Sequence, residues 1–363
     1  MSKGNAYVLG ATGQIGRVAV TALVGDGWEA TALSHGGGRD VSWPEGVRAA
    51  RLDRDEDGAL AAALGEGCDV LVDMVAYDGA HAGQLTALAG RIGSAVVISS
   101  GAVYEDGRGR SFDTQDRPRG SPHYPVPIPE SLATVAPGDG TYATRKVRLE
   151  RELLAAGEVL PVTLLRAGAV HGPYCRTPRE LYFVKRAVDG RARRVLAYGG
   201  GSRFHPAHVS NVAELIRLAA RRPGSRVLNA ADPGAPTVAE IGAAVDEVLG
   251  RRTETVLLAG APAPGRVGET PWSAPHDIVY DMAAAERELG YRPVTGYAES
   301  LPGTVAWLVG RLEGRDWRDA FPKMARNYGD IFDYAAEDAW LAEHDRGRTA
   351  EGAAGAYGRP RLP

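Results

Sequence analysis

Tyr142 and Lys146 stand four residues apart in Tyr142-Ala143-Thr144-Arg145-Lys146, a spacing that sets a phenol and an ammonium on one face of a helix. A tyrosine of ordinary pKa is almost wholly protonated at neutral pH. A fixed cation beside it stabilises the phenolate and opens proton exchange with a substrate hydroxyl or carbonyl. Lysine is scarce in this chain, with four positions (Lys3, Lys146, Lys185, Lys323), and of 14 tyrosines only Tyr142 has a lysine at the fourth residue on. The alternative is an exposed helix pair without chemistry. Ser100, at the end of the apolar run Ser94–Ser100, adds a hydroxyl that can donate to a developing alkoxide or orient a carbonyl; taken alone it reads as a strand-end cap.

A third feature belongs with these two. Gly10-Ala11-Thr12-Gly13-Gln14-Ile15-Gly16 follows the apolar segment Ala6–Leu9 and opens a helical pattern. In this arrangement the first glycine permits a tight turn and the second lets backbone approach a pyrophosphate. The third lets the helix pack closely on a sheet, and the helix N-terminus faces the anion. The loop does not name the dinucleotide. An NAD site normally carries a carboxylate about 20 residues further on, whereas Ala32-Leu33-Ser34-His35-Gly36-Gly37-Gly38-Arg39 offers none. Ser34, His35 and Arg39 can instead receive a 2′-phosphate, which tilts the expectation toward NADP over NAD; a flexible Gly36–Gly38 turn with Arg39 in solvent is the competing reading. Asp53 is placed to meet the adenine edge, or is a surface turn residue.

These groups need elements to hold them. Strand-like segments at 6–9, 29–33, 69–73 and 94–98 alternate with helical stretches at 15–24, 58–64 and 83–91, a pattern of βαβ units and a parallel sheet. From Glu105 to Asp139, Gly, Pro, Asp, Arg and Ser dominate, and this is read as a long surface excursion. Helix resumes at 142–156 and strand at 160–165. Further helices are expected at 179–189, 212–220, 238–249, 283–289 and 297–309. The fold class is α/β: a Rossmann doubly wound parallel sheet over residues 1–170, then a smaller mixed substrate lobe at 171–315, from which about 205–230 returns to the sheet. Residues 316–363 form a tail that packs on the body through aromatics of the 317–340 stretch, with the final dozen residues expected to fray.

Composition closes off other classes. Forty-two basic against 45 acidic residues give a net charge of −3 with no long single-sign run, so neither nucleic acid nor an anionic membrane is an expected partner. The longest uncharged stretches, Gly4–Gly16 and Ile92–Tyr104, fall short of the ~18 residues a bilayer span needs. The N-terminus lacks a long apolar leader. Two cysteines, Cys68 and Cys175, fit a reducing cytoplasm better than a disulfide scaffold, and no zinc-ligand spacing is present, so no metal is expected.

Taken together, Gly10–Gly16, Asp53, Ser99–Tyr104 and Tyr142/Lys146 resemble the extended short-chain dehydrogenase/reductase superfamily, in its NAD-dependent epimerase/dehydratase group. Leu165–Pro173, His208–Ala213, Leu228–Ala231, Thr237–Ile241 and Asp281–Pro293 add ordered partial matches. The resemblance implies hydride transfer at a secondary alcohol or ketone of a nucleotide sugar or related small molecule, by a 4-epimerase or a ketoreductase. Ser100 would orient the substrate, Tyr142 act as acid/base, and Lys146 bind the nicotinamide ribose and tune Tyr142. It further implies that Gly10, Thr12, Gly13, Gln14, Ile15, Gly16, Met74, Val75, Ala76, Ser99 and Ala169 join Ser34, His35, Arg39 and Asp53 around the cofactor. Tyr77, Ser100, Tyr104, His171 and Arg203 would meet the substrate. A homodimer through helices at 83–91 and 142–156 is the family habit. Arg176, Arg179, Arg191, Arg193, Arg194 and Arg203 include candidates for a diphosphate clamp, or form a solvated basic surface. Gly101 and Ala102 stand where dehydratases carry Asp-Glu, Asp73 stands in place of a histidine, and His171 in place of a tyrosine. A non-catalytic or RNA-binding member of the same fold is the alternative reading; the intact Tyr142 and Lys146 weigh against it.

Overall fold

The computed structural model describes residues 2–356, so part of the expectation for the final dozen residues lies outside the described residues. The chain divides into two compact units. The first comprises Met1–Cys175, Arg203–Pro236 and His276–Trp307; the second comprises Arg176–Ser202, Thr237–Pro275 and Leu308–Pro363.

In the first unit, seven strands form one parallel sheet: β1 (Asn5–Leu9), β2 (Glu29–Ser34), β3 (Arg48–Arg51), β4 (Cys68–Asp73), β5 (Ile92–Ser100), β6 (Val162–Ala167) and β7 (Arg226–Ala230), in the order β7-β6-β5-β4-β1-β2-β3. The chain builds outward from β1 to β3, then returns to the other side of β1 with β4. The reversal leaves a switch point between β1 and β4, where open α/β sheets bind ligands beyond their carboxyl ends. Register brings those ends level: Leu9 lies opposite Leu33 and Asp73, and Ser100 opposite Ala167.

Both faces of the sheet are covered, which is why its central strands carry unbroken apolar runs such as Val70–Val72 and Ala95–Ile98. Val20 and Leu23 of helix α1 (Gln14–Gly25) share one core with Val212, Leu215 and Ile216 of the helix Val209–Arg221. Leu60 and Leu64 share the opposite core with Leu149 and Leu153 of helix α2 (Tyr142–Ala155). A capping box starts α2: the Thr141 hydroxyl accepts from the Thr144 amide at 3.2 Å, and the Thr144 hydroxyl accepts from the Thr141 amide at 2.9 Å.

The Glu105–Asp139 excursion is an ordered structure, held by side chains that its composition does not advertise. One carboxylate, that of Asp106, accepts from the amides of Arg108, Arg110 and His123. Phe112 stacks on Phe204 at 5.6 Å, and Ile128 is tied to Val279 and Asp281 by main-chain bonds of 2.7 and 2.9 Å. Asp113 accepts from the Thr141 hydroxyl at 2.5 Å, so the excursion also braces the start of α2.

In the second unit, strands Arg193–Leu196 and Glu254–Leu257 pair in parallel, and Val195, Val256 and Val267 pack with Leu341 of the C-terminal helix Tyr334–Ala356. Trp317, Phe321 and Phe332 are buried. Buried Arg186 pairs with Glu337, whose other oxygen accepts from the Val195 amide at 3.1 Å. Among the described residues no helix is long and apolar enough to cross a membrane.

Candidate active site

The glycine loop leaves β1 at the switch point. Gly10 has φ +79°, a conformation that glycine adopts at little cost, and its amide and that of Ala11 donate to the Leu33 carbonyl. A Cβ at Gly10 would lie 2.9 Å from Val75 Cγ1, and one at Gly16 would overlap the Gly10 carbonyl and sit 2.7 Å from Ala11 Cα. Helix α1 begins at Gly13 with no side-chain cap and no acidic residue in its first turn, so its first amide groups and positive end are left for an anion. Gln14 Nε2 donates to the Gly172 carbonyl at 3.1 Å. Met74, Val75 and Ala76 continue β4 beside this loop, and the Met74 amide donates to the Leu9 carbonyl.

At the tips of β2 and β3, Ser34 Oγ accepts from the Gly37 amide at 3.1 Å, and His35 Nδ1 lies 3.4 Å from Asp53 Oδ2. Arg39 is exposed, but its guanidinium is not free. Its guanidinium donates to the carbonyls of Val47, Trp43 and Pro44 at 2.7, 3.1 and 2.5 Å, which commits it to its own loop.

At the end of β5, Ser100 Oγ accepts from the Ala102 amide at 3.1 Å, and Ser100 lies near enough to Tyr142 to exert a lowering influence on its phenol. Tyr142 is 44 % exposed; the part of it that is covered raises the phenol pKa, against a lowering effect of Ser100. Lys146 is 2 % exposed. Its Nζ donates to the carbonyls of Ala76 and Ile98 at 2.5 and 2.8 Å, and lies 5.8 Å from the Tyr142 ring centre. Burial lowers the Lys146 ammonium to about 8, opposed by the charges of Asp73 and Glu150. The Lys146 ammonium is thus engaged by main chain, and burial is the largest influence on the Tyr142 phenol.

The remaining candidates divide. Tyr77 is 47 % exposed with its ring centre 5.1 Å from Lys146 Nζ, and Arg203 is exposed. Tyr104 is fully buried and donates to Asn229 Oδ1 at 2.5 Å. His171 is buried with Nε2 2.8 Å from Asp232 Oδ2, and Ala169 is buried in main-chain bonding to His205. Ser99 turns away from Ser100 and donates to Glu150 Oε1 at 2.5 Å. Of the arginines in the second unit, Arg191 pairs with Asp338 and Glu337, Arg193 with Asp345 and Glu254, and Arg194 with Asp246. Arg179 donates to the Pro271 carbonyl; Arg176 is exposed.

Three residues of this site escaped sequence reading. Glu150 receives Ser99 and grips Arg166 through three contacts of 2.7–3.3 Å; its place one turn after Lys146, on the same helix face, was the available signal. Arg54 donates to fully buried Asp73 at 2.6 Å. Tyr280 fills the space beside Gly101, where an added Cβ would overlap its hydroxyl and lie 2.7 Å from Cε1. No local pattern pointed to either. Among the described residues no cluster of His, Cys, Asp and Glu is arranged to hold a metal, and both cysteines are buried thiols.

The profile of a family described as the NAD dependent epimerase/dehydratase family matches residues 6–231. Among solved structures, UDP-N-acetylglucosamine 4-epimerase from Methanobrevibacter ruminantium M1, in complex with UDP-N-acetylmuramic acid, is 19% identical, with TM-score 0.63, covering 86% of this chain and 100% of that one. UDP-N-acetylglucosamine 4-epimerase from Bacillus cereus is 16% identical, with TM-score 0.63 and coverage of 85% and 100%. WbmH from Bordetella bronchiseptica, in complex with NAD+, is 16% identical, with TM-score 0.63 and coverage of 84% and 98%. At these identities the likeness is one of fold. No curated protein sequence matches the chain.

Proposed function

The chain is an enzyme of the NAD dependent epimerase/dehydratase family, and from that premise we propose that it interconverts the two configurations at one secondary alcohol of a nucleotide sugar, as a 4-epimerase. The observation that carries this reading is the gathering of Tyr142 and buried Lys146, its Nζ 5.8 Å from the Tyr142 ring centre, at the end of the strand that carries Ser100, on the same sheet edge as the glycine loop. The loop Gly10–Gly16 and the uncapped start of α1 would hold the pyrophosphate of the dinucleotide, and Met74, Val75 and Ala76 would lie along it. The nicotinamide, when bound, supplies reversible hydride chemistry at the sugar carbon.

The chain's own residues then handle a proton and a geometry. Tyr142 Oη takes the proton of the sugar hydroxyl and returns it; Ser100 Oγ fixes the direction of that oxygen. Lys146 brings a positive charge beneath both, which favours the phenolate as the proton leaves. Tyr280, packed against Gly101, leaves no room there for a carboxylate to drive loss of water, so the geometry favours epimerisation over dehydration. Tyr77 and Arg203 are the exposed candidates for sugar and phosphate contact; Tyr104 and His171 support the site from the interior. Arg39, held by three carbonyls, leaves only Ser34 and His35 to receive a 2′-phosphate, so NAD is the dinucleotide proposed and NADP the competitor to measure. The assembly proposed is a homodimer through the helices Gly79–Ala87 and Tyr142–Ala155, read by light scattering.

The test is incubation with UDP-glucose, UDP-galactose and their N-acetylamino and uronic acid counterparts, with products separated and identified by NMR. The account expects a mixture of C4 epimers with no net change in nicotinamide absorbance. Stoichiometric NADPH consumption would reassign the enzyme as a reductase, and a dehydrated 4-keto product would overturn the reading of Gly101 and Tyr280.

A further inference from the structure

Lys146 is a buried cation with no carboxylate in ion-pairing contact among the described residues, so what keeps it charged and aimed is a question of its surroundings. One of its two acceptors is the Ala76 carbonyl, in the turn that follows β4. That turn is shaped by Asp73: Oδ1 accepts from the Val75 amide at 2.9 Å, while Oδ2 accepts from Arg54 Nη1 at 2.6 Å. Arg54 is itself immobilised, since Nη2 and Nε donate to Gln84 Oε1 at 3.0 and 3.3 Å, and Gln84 Nε2 donates back to the Arg54 carbonyl at 2.9 Å. Asp73 is fully buried and Arg54 is 7 % exposed. A buried pair of this kind is weak evidence for stability, because desolvation offsets attraction; its placement under the lysine turn gives it another use.

We propose that the Arg54–Asp73 pair is a positioning device for Lys146, holding the carbonyl that aims Nζ and setting the charge balance around the ammonium. Three carboxylates favour the charged form: Asp73 and Asp78 from β4 and the turn beyond it, and Glu150 from α2 itself. Arg54 opposes them, and the rings of Tyr77 and Tyr142 lie at 5.1 and 5.8 Å. The pair lets a net negative field reach Lys146 while Arg54 moderates it. The consequence for turnover rests on the proposed role of Lys146; the charge setting itself does not.

The scarcity of lysine makes the test direct. With lysine labelled at 13Cε, the full chain gives signals from four side chains, and Lys146→Arg identifies the one that matters. Asp73→Asn keeps the size of the side chain, removes its charge and leaves Arg54 uncompensated, so the Lys146 titration is expected to fall by about one unit or more. Arg54→Gln is expected to move it the other way, and Arg54→Lys to leave it in place. No shift in Asp73→Asn, or shifts of one sign in Asp73→Asn and Arg54→Gln, would overturn the proposal; should Asp73→Asn fail to fold, an Arg54→Gln titration that does not rise is sufficient to do so. In activity, the alkaline limb of kcat/KM is expected to move to lower pH in Asp73→Asn. If the NMR titration shifts and that limb does not, the charge setting at Lys146 stands and its part in turnover is what fails.

Discussion

Ser99 and Ser100 are neighbours on one strand, and they open onto two clusters of opposite character. Alternation along β5 sends them to different sides. Ser99 enters a closed network in which Glu150, Arg166, Tyr104 and Asn229 satisfy one another, with Arg166 also stacked on the Tyr104 ring at 4.8 Å. Ser100 faces Tyr142, whose side chain is partly exposed, with Lys146 below it. Both clusters draw on α2, one turn apart. In the closed cluster each buried charge has its opposite in contact, and such a network specifies structure. In the open one, a buried cation is held only by carbonyls and its proton is loosened to about 8. That perturbed titration, beside a partly exposed tyrosine, supports the proposal that the open cluster is the one that reacts.

That contrast can be broken by mutation. The largest effect is expected from Tyr142→Phe: turnover falls by about 10²–10⁴-fold while dinucleotide affinity, read by calorimetry, stays within about twofold. Preserved turnover would place the acid/base elsewhere. Next is Glu150→Ala, which leaves Arg166 buried without its partner and is expected to lower stability by about 3–5 kcal/mol in denaturant unfolding; a loss under ~1 kcal/mol would remove the closed cluster from the account of stability. The smallest effect concerns pH. The folded pKa of Lys146, about 8, lies below the ordinary 10.5, so between those values the unfolded chain binds more protons and stability rises with pH. Burial of Lys146 therefore costs stability below pH 8 and is relieved above it, while activity moves the opposite way. Comparison of the protein with Lys146→Met by denaturant unfolding on both sides of pH 8 reads this; an equal difference at both would contradict it.

What the sequence made legible follows the range of the interactions. The glycine loop, the Tyr142/Lys146 pair and most strands and helices are patterns within a few residues and stand close to where the spacing put them. The helix expected at 83–91 runs instead over Gly79–Ala87, started by the Asp78 cap. The edge strand Arg48–Arg51 escaped because its Arg-Ala-Ala-Arg run lacks an apolar face. The excursion reads as loose from its prolines and glycines, yet Asp106, Phe112 and Ile128 order it through partners that include residues as far along the chain as Phe204 and Val279. The arginines proposed as a phosphate clamp illustrate the same limit: Arg191 and Arg193 are met by Asp338 and Asp345, more than a hundred positions on, which no local pattern announces. Glu150 alone carried a usable hint in its helical spacing from Lys146.

The central claim is that one strand end separates a reacting cluster from a supporting one, and the crossed pair Ser100→Ala and Ser99→Ala tests it in a single experiment. With kcat and unfolding free energy measured on both, Ser100→Ala is expected to lose about 10–10³-fold in kcat with stability nearly unchanged. Ser99→Ala is expected to lose about 1–3 kcal/mol of stability with kcat nearly intact in the folded fraction. The reverse pattern, or equal losses of both kinds in both variants, would contradict the division.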